Sequence, residues 1–372
     1  MEVINTQFVY QPPDGAAKPT AVGARLANLG SGRLICTFML QSVLGVNDFL
    51  PVCCYSEDEG ETWSEPKPLW PDLAERYSIF ASISRQPDKK GRLMMFGVRT
   101  PIDTPGETFW KSESHAMKQN ELIYALSDDG GESWQAPQPI PMPVAGAAEA
   151  PGAMCVTRDG HWLASYSPCN SFAPDTQAPH QQLMFISSAD EGATWQSTAS
   201  MTFDEEADGT AESWVIEIDD GRFLTACWHK NRARDIDYPN PFALSNDHGR
   251  SWTPSSPIGV HGQSLALTPL SNNRFLVVYN QRRQRPAGVR MALAQVVGDA
   301  VKVLADDLVW QAEVTLSGEA GGNDESIDNW MNFAFGEPCV LELSNNKALV
   351  VLWSTQPGGE GIVSVKADLP DV

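Results

Sequence analysis

The sequence predicts an all-β protein, one domain built as a closed ring of six blades: a six-bladed β-propeller. Three observations carry that expectation. A turn-like octapeptide recurs four times at blade-like spacing. A looser pattern, strand then polar turn then strand, recurs six times. No charge run or Ser/Pro-rich linker divides the chain, so residues 1–372 read as a single domain able to bury a sizeable core.

The octapeptide reads SEDEGETW at 56–63, SDDGGESW at 127–134, SADEGATW at 188–195 and SNDHGRSW at 245–252. From average residue usage, its pattern S-x-D-x-G-x-[ST]-W should arise about once in a million starting positions. Each copy follows an apolar run, and its residues are those of a hairpin turn. Asp58, Asp129, Asp190 and Asp247 can accept hydrogen bonds from their own turn's backbone. The glycine two residues later supplies a positive φ. The closing tryptophan (Trp63, Trp134, Trp195 or Trp252) is placed to pack between neighbouring sheets. All of this is structural chemistry.

The second pattern gives the inner strand pairs. They are GARLANLGSGRLICTFML, SIFASISRQPDKKGRLMMFGV, APGAMCVTRDGHWLASYS, ESWVIEIDDGRFLTACW, SLALTPLSNNRFLVVYN and EPCVLELSNNKALVVLWS. Blades five and six lack the octapeptide but keep later strands. Residues 4–10 lie outside the first hairpin. They are expected to complete the last blade and close the ring, which removes exposed sheet edges.

Composition narrows the function. The net charge is −21, with 47 acidic and 26 basic residues. No Lys/Arg stripe is present to displace counterions from phosphates, so nucleic acid is not an expected partner. No apolar run reaches membrane-spanning length. The N-terminus lacks a basic region followed by an apolar one, and the seven cysteines include the adjacent Cys53 and Cys54. Free thiols in a reducing, cytoplasmic setting fit this better than a disulfide framework. No phosphate-binding glycine loop and no metal-ligand spacing is visible, so no cofactor and no metal are expected.

The octapeptide resembles the Asp box, or BNR repeat. With six blades, the chain resembles the sialidase (neuraminidase) superfamily over nearly its whole length. That resemblance speaks strongly for fold and weakly for function. It implies a site on the face opposite the Asp boxes, at the starts of the inner strands. There the family keeps three arginines for a carboxylate, an Asp acid/base, and a Tyr nucleophile activated by a Glu.

Carried over by position, the resemblance implies Asp48, in GVNDFLPVCCYS, as acid/base. It implies Glu212, opening ESWVIEIDDGRF, as the activating carboxylate. Arg290, in RPAGVRMALAQ, matches the third arginine. The first arginine's F-R-I-P segment is absent; Arg25 follows two residues further on and lies on the same face by strand parity. Where the second arginine should end its strand the chain has Trp228-His229-Lys230, leaving His229 and Lys230 as substitutes. Glu337, in FAFGEPCVLEL, stands where the tyrosine should be. This departs from the standard mechanism, and a carboxylate nucleophile would replace it. Glu149, in AAEAPGAM, opens blade three in the same register. Glu149, Glu212 and Glu337 are therefore expected to point into one funnel.

Arg99 and Asp103 are further rim candidates, and the Arg282-Arg283-Gln284-Arg285 run could also line it. The long blade-two loop, TPIDTPGETFWKSESHAMKQNE, could arch over the funnel or reach a partner subunit. Phe109, Trp110 and Trp330 could stack on a sugar ring. The expectation is an exo-acting glycoside hydrolase on a terminal sugar, with Asp48, Glu212 and Glu337 catalytic. Arg25, Arg99, Glu149, His229, Lys230 and Arg290 would bind the substrate. Three alternatives stay open. One is an exo-arabinanase-like hydrolase. Another is a uronate lyase drawing on His229, Tyr166 and Arg99. The third is a non-catalytic propeller that binds carbohydrate or protein.

Overall fold

The computed structural model describes residues 1–87, 91–112, 114–205, 207–316 and 331–370. Among the described residues the strands form six sheets, antiparallel except for one short parallel pairing. Blade one contains strands Thr20–Gly30, Arg33–Gln41, Leu50–Ser56 and Lys67–Pro68; blade two contains Tyr77–Arg85, Leu93–Pro101, Glu121–Ser127 and Gln138–Ile140. In blade three the inner strand is split into Ala147–Glu149 and Cys155–Val156, followed by Trp162–Ser171, Gln182–Ser188 and Gln196–Thr202. Blade four runs through Asp208–Glu217, Phe223–Asn231, Pro241–Ser245 and Ser256–Pro257; blade five through Leu265–Pro269, Arg274–Gln281, Gly288–Val297 and Ala300–Gln311. Blade six takes Phe335–Leu343, Lys347–Gln356 and Gly359–Asp368, and its fourth strand is the N-terminal Glu2–Tyr10.

The inner strands of successive blades touch all the way round, including blade six against blade one. The N-terminal strand thus closes the ring as expected. The second strand of each blade is mostly buried because sheets cover it on both faces, as in Lys347–Gln356 and Phe223–Asn231.

All four octapeptides adopt one hydrogen-bonded turn. In each, the serine hydroxyl donates to the aspartate at 2.8–2.9 Å, and the glycine N–H donates back to that hydroxyl. The Asp then accepts both the N–H and the hydroxyl of the residue four positions on. Trp134, Trp195 and Trp252 each donate their indole N–H to the turn glycine's carbonyl. Trp134 packs on Trp70 of the preceding blade-one segment, and Trp195 on Tyr124 of blade two.

The blade-two loop leaves its own sheet. Trp110–Lys111 and Ala116–Met117 form a small hairpin that pairs in parallel with Asn170 and Ser171 of blade three. Thr108 bridges to Val46 of the blade-one loop. Lys118 ties the loop base together through Glu107 and Asp103. The loop therefore arches across the mouth of the ring and is anchored on two neighbouring blades.

Candidate functional site

Three inner strands share a distortion at their starts. Pairing with the second strand slips between Val22 and Arg25, between Ala211 and Trp214, and between Gly336 and Cys339. At each slip one residue takes a left-handed backbone: Gly23 at φ 65°, Glu212 at 52° and Glu337 at 46°. Glycine does this freely. A glutamate does it only where its surroundings hold it, and such strain gathers at functional sites. In blade one a Cβ on Gly23 would overlap the side chains of Met39 and Phe80, which would have to move aside.

The bulges at Glu212 and Glu337 coincide with side chains that reach the cavity. Glu149, Glu212 and Glu337, from blades three, four and six, line one cavity of about 190 Å³. Phe80, Phe109, Trp110, Trp228, Phe333 and Trp353 supply much of its apolar wall, and Lys230, Arg232 and Arg282 supply cations. Phe109 and Trp110 come from the arching loop, which forms part of the roof.

The carboxylates are not equivalent. Glu149 accepts the backbone N–H of Glu212, at 3.2 and 3.1 Å to its two oxygens. Burial pushes its carboxyl up to about 7, against the pull of that N–H and of Lys230. Glu212 is raised well above the usual range by burial, then by the charges of Glu149 and Glu337. Glu337 is also raised by burial, but Arg25, Arg282, the Gly23 N–H and the Trp353 indole all favour its charged form. Glu212 is thus the group most inclined to keep its proton, and Glu337 the best supported as an anion.

The cations also differ. Arg25 is 1% exposed and lies beneath the cavity floor. It donates to Ser82 Oγ and to the carbonyls of Pro151, Ala24 and Glu337. Arg282 donates to Gln263 and to the Phe335 carbonyl and stacks 4.0 Å from the Phe333 ring centroid. Lys230 and Arg232 lie two residues apart and both reach the cavity. The Lys230 ammonium sits 4.0 Å over the Trp228 ring and makes no ion pair among the described residues. Burial, and then the neighbouring Arg232 charge, lower it to about 8. The buried Nε of Arg232 has no hydrogen-bond partner. Two adjacent cations with donors to spare make a ready anion site.

Several sequence expectations are corrected. Asp48 does not line the cavity; its carboxylate closes on Lys18 Nζ at 2.6 Å and caps the Ser42 N–H, while its neighbour Phe49 faces in. Arg25 is a floor residue, because the bulge at Gly23 breaks the parity that would have aimed it inward. Arg99 pairs with Glu121 at 2.7 Å and lies over Tyr77, whereas Val98 and Thr100 face the cavity. His229 stacks on Phe203 at 3.8 Å, on the opposite strand face from Trp228 and Lys230. Arg290 lies on the third strand of blade five and is held by Asp306 and Tyr279. Asp103 pairs with Lys118. Tyr166 is fully buried away from the cavity wall, so none of the three residues of the lyase alternative lines it. Trp330 lies outside the described residues. Glu149, Glu212, Glu337 and Lys230 meet as expected. Arg232, Trp228 and Trp353 were not anticipated as site residues, although Trp228 and Arg232 flank Lys230 at the correct strand parity.

This architecture is the sialidase-like six-bladed β-propeller. No protein-family model matches the chain, and no curated protein matches it in sequence. Solved structures do match. A protein of unknown function from Dyadobacter fermentans DSM 18053 is 19% identical over 99% of both chains, with a TM-score of 0.68. The Hadza microbial sialidase Hz136 is 18% identical over 98% of this chain and 68% of its own, with a TM-score of 0.67. The Penicillium chrysogenum alpha-L-arabinanase, solved with arabinobiose, is 14% identical over 100% of this chain and 99% of its own, with a TM-score of 0.65. The neighbours thus include glycoside hydrolases on the same propeller fold, at identities that establish fold alone.

Proposed function

We propose that the cavity is the active site of an exo-acting glycoside hydrolase that removes a carboxylate-bearing terminal sugar. The observation that carries this reading is the convergence of three glutamates from three blades, two of them in left-handed backbone, on one partly apolar cavity. Glycoside cleavage needs a proton at the leaving oxygen and an anion beside the oxocarbenium-like sugar. Glu212 is the proton donor, since burial and two neighbouring acids keep it protonated. Glu337 is the anionic partner, supported by Arg25 and Arg282. Glu149 positions Glu212 through its backbone N–H and raises its proton affinity. Lys230 and Arg232 hold the sugar's carboxylate. The cavity is smaller than the ~300–1,000 Å³ of pockets for drug-sized ligands, which suits one sugar unit.

The test is a panel of aryl glycosides that includes an α-sialoside and an α-L-arabinofuranoside. Glu212→Gln should lose about 10³-fold in kcat/KM on substrates with poor leaving groups and much less on dinitrophenyl glycosides, which need no proton. Lys230→Met should raise KM for the acidic sugar. Turnover of the arabinofuranoside alone would move the substrate to a neutral sugar and leave the carboxylate roles intact. Full activity in Glu212→Gln would refute the assignment.

A further inference from the structure

At the other end of the blades, where the Asp boxes lie, one polar cluster joins two blades. Asp159 and His161 belong to the tight turn between the first and second strands of blade three. His248 sits in the Asp-box turn of blade four. His161 Nδ1 is 3.1 Å from Asp159 Oδ1, and His248 Nε2 is 2.9 Å from Asp159 Oδ2. The imidazoles face each other with centroids 4.1 Å apart. The three candidate ligand atoms lie within 4.8 Å of one another.

We propose that Asp159, His161 and His248 form a binding site for a zinc-class divalent metal that staples blade three to blade four. This goes beyond the hydrolase reading and does not depend on it.

The donor set is two imidazoles and a carboxylate, which suits zinc. Bonds of 2.0–2.1 Å in a tetrahedron put ligand atoms about 3.3 Å apart; here each imidazole nitrogen lies about that far from a different oxygen of Asp159, and the three donor atoms fall within 4.8 Å of one another. The ligands are held on pinned turns. The Thr157 hydroxyl donates to Asp159 Oδ1 at 2.5 Å and accepts the His161 N–H at 2.8 Å. A ligating carboxylate held by such a hydrogen bond is typical of metal sites. His248 occupies the left-handed position of its turn, φ 59°, where the other Asp boxes carry Glu59, Gly130 and Glu191. That turn is fixed by Ser245 and Asp247. All three side chains reach solvent, so ion entry is open and water completes the coordination.

The experiment uses the whole chain, stripped with chelator and titrated with zinc chloride by calorimetry. Binding of one zinc per chain is expected. The melting temperature should rise by about 3 °C at a hundredfold excess over Kd. His161→Ala and His248→Ala should each weaken binding at least tenfold while melting like the metal-free wild type. Cobalt(II) should give visible bands of a tetrahedral N/O site in the wild type that are lost in His248→Ala. A wild-type melt unmoved by millimolar zinc, or equal uptake by the double variant His161→Ala/His248→Ala, would overturn the proposal.

Discussion

The two ends of the blades use the same chemical group in opposite ways. At the Asp-box end each carboxylate is saturated with donors from its own turn. Asp129 and Asp247 are pulled down to about 2, first by the hydroxyls of Ser133 and Ser251. At the cavity end, Glu149, Glu212 and Glu337 are pushed up, in each case chiefly by removal from water. One end is local, repeated and stabilising. The other is assembled from separate blades, and its buried acids and left-handed glutamates cost folding energy. That opposition is expected where a scaffold carries a reactive site.

The largest break in this comparison is Glu212→Gly. It removes the proposed proton donor, a half-buried carboxyl and a strained φ of 52° together. Catalysis should fall by 10³-fold or more. The melting temperature should rise, because relieving left-handed strain is worth roughly 1–2 kcal/mol. Paired activity and calorimetric melts check both halves; a destabilised variant would mean the bulge is not strained.

A smaller effect sharpens the electrostatics. Glu149 has a usual value of 4.5 and a folded value of about 7. Below 4.5 both folded and unfolded chains hold the proton. Between 4.5 and 7 only the unfolded chain releases it, so stability is lost as pH rises through that window. Glu149→Gln keeps an acceptor for the Glu212 N–H. It should melt like the wild type at pH 4 and gain on the order of 1–3 kcal/mol by pH 8. A pH series of thermal melts reads this, and a gain confined to acid pH would contradict the assignment.

The smallest effect lies at the other end. Asp129→Ala should cost about 1 kcal/mol at neutral pH, since the turn is exposed and water replaces part of what is lost. A folded value lowered to about 2 from 3.8 means this stability is present above 3.8 and disappears as pH falls toward 2. Activity should be unchanged. A large activity loss would show that the two ends are coupled.

The sequence was legible where its signals were local. The octapeptides announced their turns, and counting from hairpin turns brought Glu149, Glu212 and Glu337 to one cavity. Misreadings came where direction depends on distant contacts. Parity carried Arg25 inward, but a bulge at Gly23 left it in the floor. Arg99 and His229 lie one residue off the inward face, and Arg290 found Asp306 on the next strand. Asp48 sits in a loop where its carboxylate is taken up by Lys18, thirty residues away. The Asp159, His161 and His248 cluster had no spacing signature because its members come from two blades.

The pairing of Glu2–Tyr10 with Gly359–Asp368 has a consequence for biogenesis. Within the ring, the strand translated first pairs with the strand translated last. Until blade six has been made, that edge stays open and the glutamate of blade six cannot join the other two. The ring closes only when these two distant segments meet. A cut or insertion that displaces Glu2–Tyr10 would act on the site from the rim of the molecule, without touching one residue that lines it.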